Sequence, residues 1–152
     1  MESLRKLTYL IINSIKIDLL TMMLLVVCLP PTRIEVLKFV NCNLDKKEAD
    51  VLFNFLKSVK SKMKKLFIDW MPEVKQYLCS IGEAKTLEFL IVRGCQIDDT
   101  IFQQLLTSLK SAGTRLRLLD VYSNKITDHS IQFLGGWIND YKWVESFGFG
   151  LN

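Results

Sequence analysis

The chain has 152 residues, which is one domain's worth, and 49% of them are apolar, enough for a continuous core. Its formal net charge of +4 is too mild to demand a nucleic-acid partner. No Gly/Ser-rich linker and no low-complexity tract interrupts the sequence. We therefore expect a single domain over residues 1–152, with no nucleic acid among its partners.

The most apolar part of the chain is the N-terminal segment 7–29, which ends in LLTMMLLVVCL (Leu19–Leu29). One interpretation is a signal peptide or a membrane anchor. The segment is interrupted by Asn13, Lys16 and Asp18. The remaining apolar run is shorter than the roughly 18 residues that a membrane span needs. The favoured interpretation is therefore the first helix of a repeat array.

Four stretches share one spaced pattern, and the last of them stops partway through it. They read IEVLKFVNCNL (Ile34–Leu44), LEFLIVRGCQI (Leu87–Ile97), LRLLDVYSNKI (Leu116–Ile126) and VESFGFGLN (Val144–Asn152). Each has apolar residues at places one, four and six, and Cys or Asn at place nine. Alternation at places four and six turns both side chains to one face of a short strand. The ninth residue then lies where the chain leaves that strand.

The spacing of these stretches indicates further units. The gap of 53 residues between Ile34 and Leu87 hides a degenerate copy, MKKLFIDWM, which begins at Met63 and has Met71 at place nine. A weaker unit begins at Leu4. Its later apolar places are Leu7, Tyr9 and Ile12. The chain then divides into about six units, near 4–33, 34–62, 63–86, 87–115, 116–143 and an incomplete 144–152.

Helical patterns separate the strands, and each starts at a residue that can cap a helix: Asp45, Asp98 and Thr127. The 3.6-residue spacing predicts three sets of inward residues: Leu52, Phe55, Leu56 and Val59; Ile101, Leu105, Leu106 and Leu109; and Ile131, Leu134 and Ile138. Gly135 and Gly136 weaken the last helix by about 1 kcal/mol each relative to Ala. We expect close packing against a neighbour to compensate for them.

The pattern L-x-x-L-x-L-x-x-N/C-x-L is the leucine-rich-repeat signature. Strand–helix units of 28–29 residues resemble the ribonuclease-inhibitor-like subclass, well over Ile34–Asn152 and poorly over 1–33. The resemblance implies an α/β fold, a curved leucine-rich-repeat solenoid with a parallel inner sheet and helices on the outer face. Within the family it implies roles as inhibitor, actin-filament end binder, ubiquitin-ligase adaptor or innate-immune sensor. The motifs specify the fold and hardly the function.

Residues that could carry catalysis or hold a metal are sparse. His129 is the only histidine, and we expect it to be solvated at a helix start. The four cysteines form no CxxC pair: Cys28, Cys42, Cys79 and Cys95. They indicate reduced, buried residues of a cytoplasmic protein. We therefore expect no enzyme activity, no metal and no cofactor.

The concave sheet face is where solenoids of this kind usually bind. A solvated strand face would normally be polar, yet aromatic and apolar residues recur at its exposed places. Trp, Tyr and Arg dominate binding hot spots. The candidate partner-binding residues are Lys38, Phe67, Asp69, Trp70, Ile91, Arg93, Asp120 and Tyr122. A slip of one residue in the degenerate unit would instead turn Phe67 inward.

The favoured function is non-enzymatic protein–protein interaction, as a scaffold or adaptor that binds a partner protein on the concave face. The alternative is a membrane-associated protein, anchored through segment 7–29 and helped by the basic run Lys57–Lys65. That run also fits a helix C-terminus, where cations oppose the dipole, and this interpretation is favoured. Because the unit Val144–Asn152 has no helix behind its strand, we expect self-association through an uncapped C-terminal end.

Overall fold

The computed structural model describes residues 7–30, 33–58 and 61–152. Within them lies one open parallel sheet whose strands follow chain order. The strands are β1 (Tyr9–Asn13), β2 (Val36–Val40), β3 (Lys65–Asp69), β4 (Phe89–Arg93), β5 (Leu118–Asp120) and β6 (Ser146–Gly148). The outer elements are α1 (Leu19–Cys28), α2 (Lys46–Lys57), a 3-10 helix (Pro72–Glu83), α3 (Asp99–Ala112) and α4 (Asp128–Asp140). The predicted α/β leucine-rich-repeat solenoid, with a parallel inner sheet and outer helices, is confirmed.

Equivalent places of successive units lie opposite each other in the sheet. Leu66 pairs with Leu37 on one side and with Leu90 on the other. The place-four residues therefore form a ladder toward the core: Leu10, Leu37, Leu66, Leu90, Leu119 and Phe147. The register predicted for the degenerate Met63 unit is confirmed, and Phe67 pairs with Lys38 on the opposite, concave face.

The register predicted for the first unit is wrong by three residues. Leu10 pairs with Leu37, so Leu10 rather than Leu7 occupies place four. The predicted start of that unit, Leu4, lies outside the described residues. The ninth place falls on Ile15, which is exposed and is neither Cys nor Asn. The motif therefore offered no landmark for the correct alignment.

The outer elements begin where their capping residues predict. Asp45, Asp98 and Thr127 are the N-caps of α2, α3 and α4. The side chains of Asp98 and Thr127 accept hydrogen bonds from the backbone N–H groups of Ile101 and His129. The 24-residue unit that begins at Met63 has a 3-10 helix instead of an α-helix. None of the described helices is both long and apolar enough to cross a bilayer.

The inward face predicted for α4 is confirmed at Leu134 and wrong at the two isoleucines. Ile131 and Ile138 are 47% and 44% exposed, and Trp137 turns to the core instead. Its Nε1–H donates to the Leu106 carbonyl at 2.7 Å, and its ring stacks on Tyr141 with centroids 4.3 Å apart. Two large stacked rings bury more apolar area than the two isoleucines, and this sets the rotation of the helix.

Two smaller expectations about exposure are also wrong. Cys28 is exposed and Cys79 is half-buried, so only Cys42 and Cys95 are buried. Gly135 and Gly136 do not pack closely against a neighbour. Both are exposed, and a Cβ added at either position would meet no heavy atom within 4 Å outside the helix backbone nearby.

The ninth place of the fifth unit ties that unit to the one before it. The Asn124 Oδ1 atom accepts hydrogen bonds from the backbone N–H groups of Cys95 at 2.9 Å and Ile97 at 3.1 Å. Its Nδ2 donates to the carbonyls of Val92 and Val121, each at 2.8 Å. Asn124 is buried, so it satisfies backbone groups that water does not reach.

Cysteine makes weaker contacts at the same place in other units. The Cys95 Sγ lies 3.3 Å from the Arg93 carbonyl and 3.5 Å from that of Ile68. The Cys42 Sγ lies 3.3 Å from the Ile12 carbonyl. Burial raises the pKa of the Cys95 thiol to about 12, so it stays neutral and unreactive at physiological pH.

We predict that Cys95→Asn retains more stability than Cys95→Leu, because Asn can donate to the turn carbonyls and Leu cannot. Leaving buried polar groups unpaired costs about 1–3 kcal/mol. Asn124→Leu should therefore lower the free energy of unfolding by at least that amount. Urea titration of the three variants measures these changes. Equal stability of Cys95→Asn and Cys95→Leu would contradict the assignment.

Gly135→Ala and Gly136→Ala should each raise the free energy of unfolding, by about 1 kcal/mol. Neither added methyl group meets a neighbour, so only the helix preference and the reduced entropy of the unfolded chain change. Thermal melts of both variants and of the double variant test this. A loss of stability would mean that these glycines serve a contact absent from this structure.

Candidate functional site

Two ladders of side chains run along the concave face. The place-five ladder contains Ile11, Lys38, Phe67, Ile91, Asp120 and Gly148. The place-seven ladder contains Asn13, Val40, Asp69 and Arg93, and Tyr122 holds place seven of the next unit. Seven of the eight predicted binding residues lie on these ladders, and the eighth, Trp70, follows at place eight.

The charged residues of the two ladders pair with one another across the strands. The Lys38 Nζ lies 2.9 Å from the Asp69 Oδ2. Arg93 donates to the Asp120 Oδ2 from Nη2 at 2.5 Å and from Nε at 3.0 Å. These hydrogen bonds to Asp120 are the main cause of a raised Arg93 pKa. The four groups carry no net charge together, and opposite charges on neighbouring strands favour this pairing.

The two aromatic residues at the end of the concave face lie over glycines of the following unit. A Cβ added at Gly94 would be only 2.2 Å from the Trp70 Cε3, and one at Gly150 would be 2.8 Å from the Tyr122 Cε2. The missing side chains make room for the rings. Trp70 remains 57% exposed and Tyr122 41% exposed. Each ring thus packs against backbone with one side and is open to solvent on the other.

Two of the predicted binding residues are not exposed, so that part of the expectation is wrong. Ile91 is 5% exposed and Asp69 is 6% exposed. Ile91 lies between Phe67 and Asp120 in its ladder. The curvature of the sheet brings side chains on the concave face of the middle strands close together. These neighbouring side chains cover Ile91 and Asp69. Ile91 and Asp69 therefore pack beneath the exposed residues of the concave face, and little of either side chain is open to a partner.

A third ladder, at place three, lies beside the two ladders that hold the candidate residues. At place three, Phe89 lies between two cations: the Lys65 Nζ is 4.4 Å from its ring centroid and the Arg117 guanidinium carbon is 5.7 Å from it. Lys38 has a similar contact with Phe67 at 5.4 Å. Cations within about 6 Å of a ring are attracted to its face. The phenylalanines are therefore part of the charged network.

The place-two residues form a ladder along the rim of the sheet and alternate in sign: Glu35, Lys64, Glu88, Arg117 and Glu145. The Lys64 Nζ lies 3.0 Å from the Glu35 Oε1. Arg117 lies 2.9 Å from Glu145 and 3.7 Å from Glu88. The hydrogen bond from Arg117 lowers the pKa of Glu145. Aligning the repeat copies would have revealed this alternation from the sequence.

The basic run Lys57–Lys65 is largely occupied by contacts within the chain. The Lys62 Nζ donates to the Pro30 carbonyl at 3.2 Å, Lys64 pairs with Glu35, and Lys65 lies over Phe89. Lys60 lies outside the described residues, and so does Val59, which the helical spacing predicts to face inward. These contacts support the interpretation of the run as a local structural feature.

His129 is exposed at the start of α4, where its backbone N–H donates to the Thr127 Oγ1 at 3.3 Å. Among the residues that the structure describes, no group of three or more His, Cys, Asp and Glu side chains could hold a metal ion.

No protein-family model and no curated protein matches this sequence. A solved structure of the tropomodulin C-terminal domain from Caenorhabditis elegans is similar in fold, with a TM-score of 0.63. The match covers 93% of this chain and 87% of that chain, at 12% sequence identity. At this identity the likeness shows the fold alone, which is of the leucine-rich-repeat type.

Gly94→Ala should be costly for two separable reasons. The residue has a φ of +63°, which costs a residue with a Cβ about 1–2 kcal/mol. The new methyl group would also displace the Trp70 ring. Gly113 is a matched control, because its φ is +65° and nothing lies within 4 Å of an added Cβ.

In chemical unfolding we expect Gly94→Ala to lower the free energy of unfolding more than Gly113→Ala does. In a Trp70→Ala background the two glycine substitutions should cost the same, because the ring that the new methyl group would displace is gone. A coupling free energy of about 0.5–3 kcal/mol between positions 70 and 94 is typical of residues in contact. Zero coupling would show that the Trp70 ring does not lie against Gly94 in solution.

Proposed function

We propose that this chain is a non-enzymatic protein-interaction module, a scaffold or adaptor that holds a partner protein on its concave face. The observation that carries the proposal is the supported exposure of Trp70 and Tyr122. Each ring is backed by the backbone of the next unit and keeps its other side free. A partner therefore meets rings already in place, and less conformational entropy is lost on binding.

The residue types around these rings support the same function. Arg93 is fixed by Asp120 between the two aromatic positions along the chain, and Trp, Tyr and Arg are the residues most enriched in binding hot spots. Lys38 and Phe67 extend the surface toward the N-terminal units, where the cation lies over the ring. Because the charges are paired within the chain, we expect the affinity to depend weakly on salt.

We extend the proposal to subclass and compartment. Units of 28–29 residues with α-helices on the outer side support a ribonuclease-inhibitor-like leucine-rich repeat. The free thiols of Cys42 and Cys95 replace Asn in the turns, where oxidation would break the packing. Thiols in that role fit a reducing compartment, and we propose the cytoplasm.

Replacing Trp70, Arg93 and Tyr122 together by Ala should leave the fold intact and abolish capture of the main partner. Truncating a hot-spot residue costs about 2 kcal/mol or more, so the combined loss of affinity should exceed about a hundredfold. The partner is first identified by affinity capture from native extract. Its dissociation constant is then measured by calorimetry against wild type and variant.

The matched control replaces three exposed residues on the outer side, Lys47, Thr100 and Gln132, by Ala. This variant should bind as wild type does. Wild-type affinity in the concave-face variant, with native circular dichroism, would refute the proposal. Equal losses in both triple variants would place the contact elsewhere.

A further inference from the structure

The first helix has an apolar face that no described part of the chain covers. Leu20, Met23, Leu24 and Val27 recur at helical spacing along it and are 50% to 70% exposed. Met22, on the opposite side, is fully buried. α1 packs against α2 and carries no charged residue. The end units of solenoids normally present a polar outer face, and the exposed face of α1 is apolar instead.

The strand beside this helix has an open backbone edge. Within the described residues β1 is hydrogen-bonded to β2 alone. The Thr8 carbonyl and the Ser14 N–H point toward β2 and bond to it. By alternation, Tyr9, Ile11 and Asn13 turn their N–H and C=O groups to the open side. Edge strands are usually protected by charges or proline, and residues 7–15 contain neither.

The other end of the sheet is better protected. β6 has three residues and includes Gly148, and Glu145 stands just before it. The Asn152 side chain closes the last turn, because its Oδ1 accepts the Asn124 backbone N–H at 2.8 Å. The apolar helix face and the unprotected edge therefore coincide at the N-terminal end only.

We propose that this end is an interface with a second copy of the chain, related by a two-fold axis that is perpendicular to the sheet. The axis passes near Ile11, so β1 pairs antiparallel with β1 of the second copy. Ile11 then lies opposite Ile11, and Tyr9 lies opposite Asn13. In such hydrogen-bonded pairs the two residues exchange both backbone hydrogen bonds, which satisfies the open edge of both copies.

The same axis brings the two α1 helices together, antiparallel, on the outer side of the sheet. Their exposed faces then cover each other at Leu20, Met23, Leu24 and Val27. A two-fold interface must be complementary to itself. An antiparallel strand pair meets this requirement, and so do two faces without charge, since no like charges are brought into contact.

The size of the surface also favours a second copy over a small ligand. Exposed apolar patches beyond a few hundred Å² are rare on monomers. A stable interface buries about 800 Å² on each partner, so a dimer of this kind needs both the ten-residue helix and the edge of the five-residue strand. The two sheets would then join into one, with both concave faces on the same side.

Light scattering after gel filtration tests the proposal. We expect a mass of twice the 17.6 kDa of one chain at micromolar concentration. Ile11→Lys and Leu24→Lys change exposed side chains, so both variants should fold. Each places like charges across the two-fold axis and should raise the dimer dissociation constant at least about tenfold. Ile131→Lys, an exposed position on α4, is the matched control and should remain dimeric.

Oxidative cross-linking locates the interface directly. In a Cys28→Ser background, Ile11→Cys should form a covalent dimer, since paired residues stand about 5.5 Å apart between Cα atoms and a disulfide tolerates that distance. Ile131→Cys should give no covalent dimer under the same conditions, because position 131 lies away from the proposed interface.

Three results would overturn the proposal. The first is a monomer at every concentration, including one that instead cosediments with phosphatidylserine vesicles through α1. The second is a concentration-dependent series of larger species, which indicates head-to-tail association. The third is a dimer that survives Ile11→Lys and Leu24→Lys but is lost in Ile131→Lys, which places the contact at the C-terminal end.

Discussion

The fold depends on how the ninth residue of a unit holds the backbone of the turn. Asn124 bonds to backbone groups of its own unit and of the one before it, which sets the vertical alignment of the two units. Once units align, equal places meet across every strand pair. The place-eight residue has a positive φ in each unit: Ser14, Asn41, Trp70, Gly94, Ser123 and Leu151. The left-handed turn is therefore a requirement of the repeat and not a local feature of Trp70.

Because the units are aligned, residues about one repeat apart in the sequence lie side by side on the concave face. Residues 27 to 31 positions apart become neighbours, as Lys38 and Asp69 or Arg93 and Asp120 do. Opposite charges on adjacent strands favour the correct alignment and penalise a slip by one unit. The glycines at 94 and 150 have the complementary effect, since they leave space for the rings of the preceding unit. The proposed binding surface is therefore made from the same contacts that hold the units in order.

Most of the fold could be predicted because Cys or Asn recurs at place nine, where the chain leaves each strand. The Met63 unit has Met71 at place nine, but the recognised units on both sides of it fixed its register. The first unit has Ile15 at place nine and a recognised unit on one side only, and its predicted register slipped by three residues. Apolar spacing alone also misjudged α4, because the pattern does not weigh the stacking of Trp137 on Tyr141. The concave ladders followed from spacing, but the burial of Ile91 did not. Burial there depends on sheet curvature, which no single unit encodes.

The two uncovered surfaces differ in a way that bears on their partners. On the concave face the exposed rings stand among paired charges and backbone, a mixture typical of interfaces that form and separate. The exposed face of α1 carries no charge, and among the described residues no strand pairs with the outer edge of β1. Permanent interfaces are more hydrophobic than transient ones. We therefore expect the N-terminal end to be buried in a permanent interface. We expect the concave face to bind and release its partners.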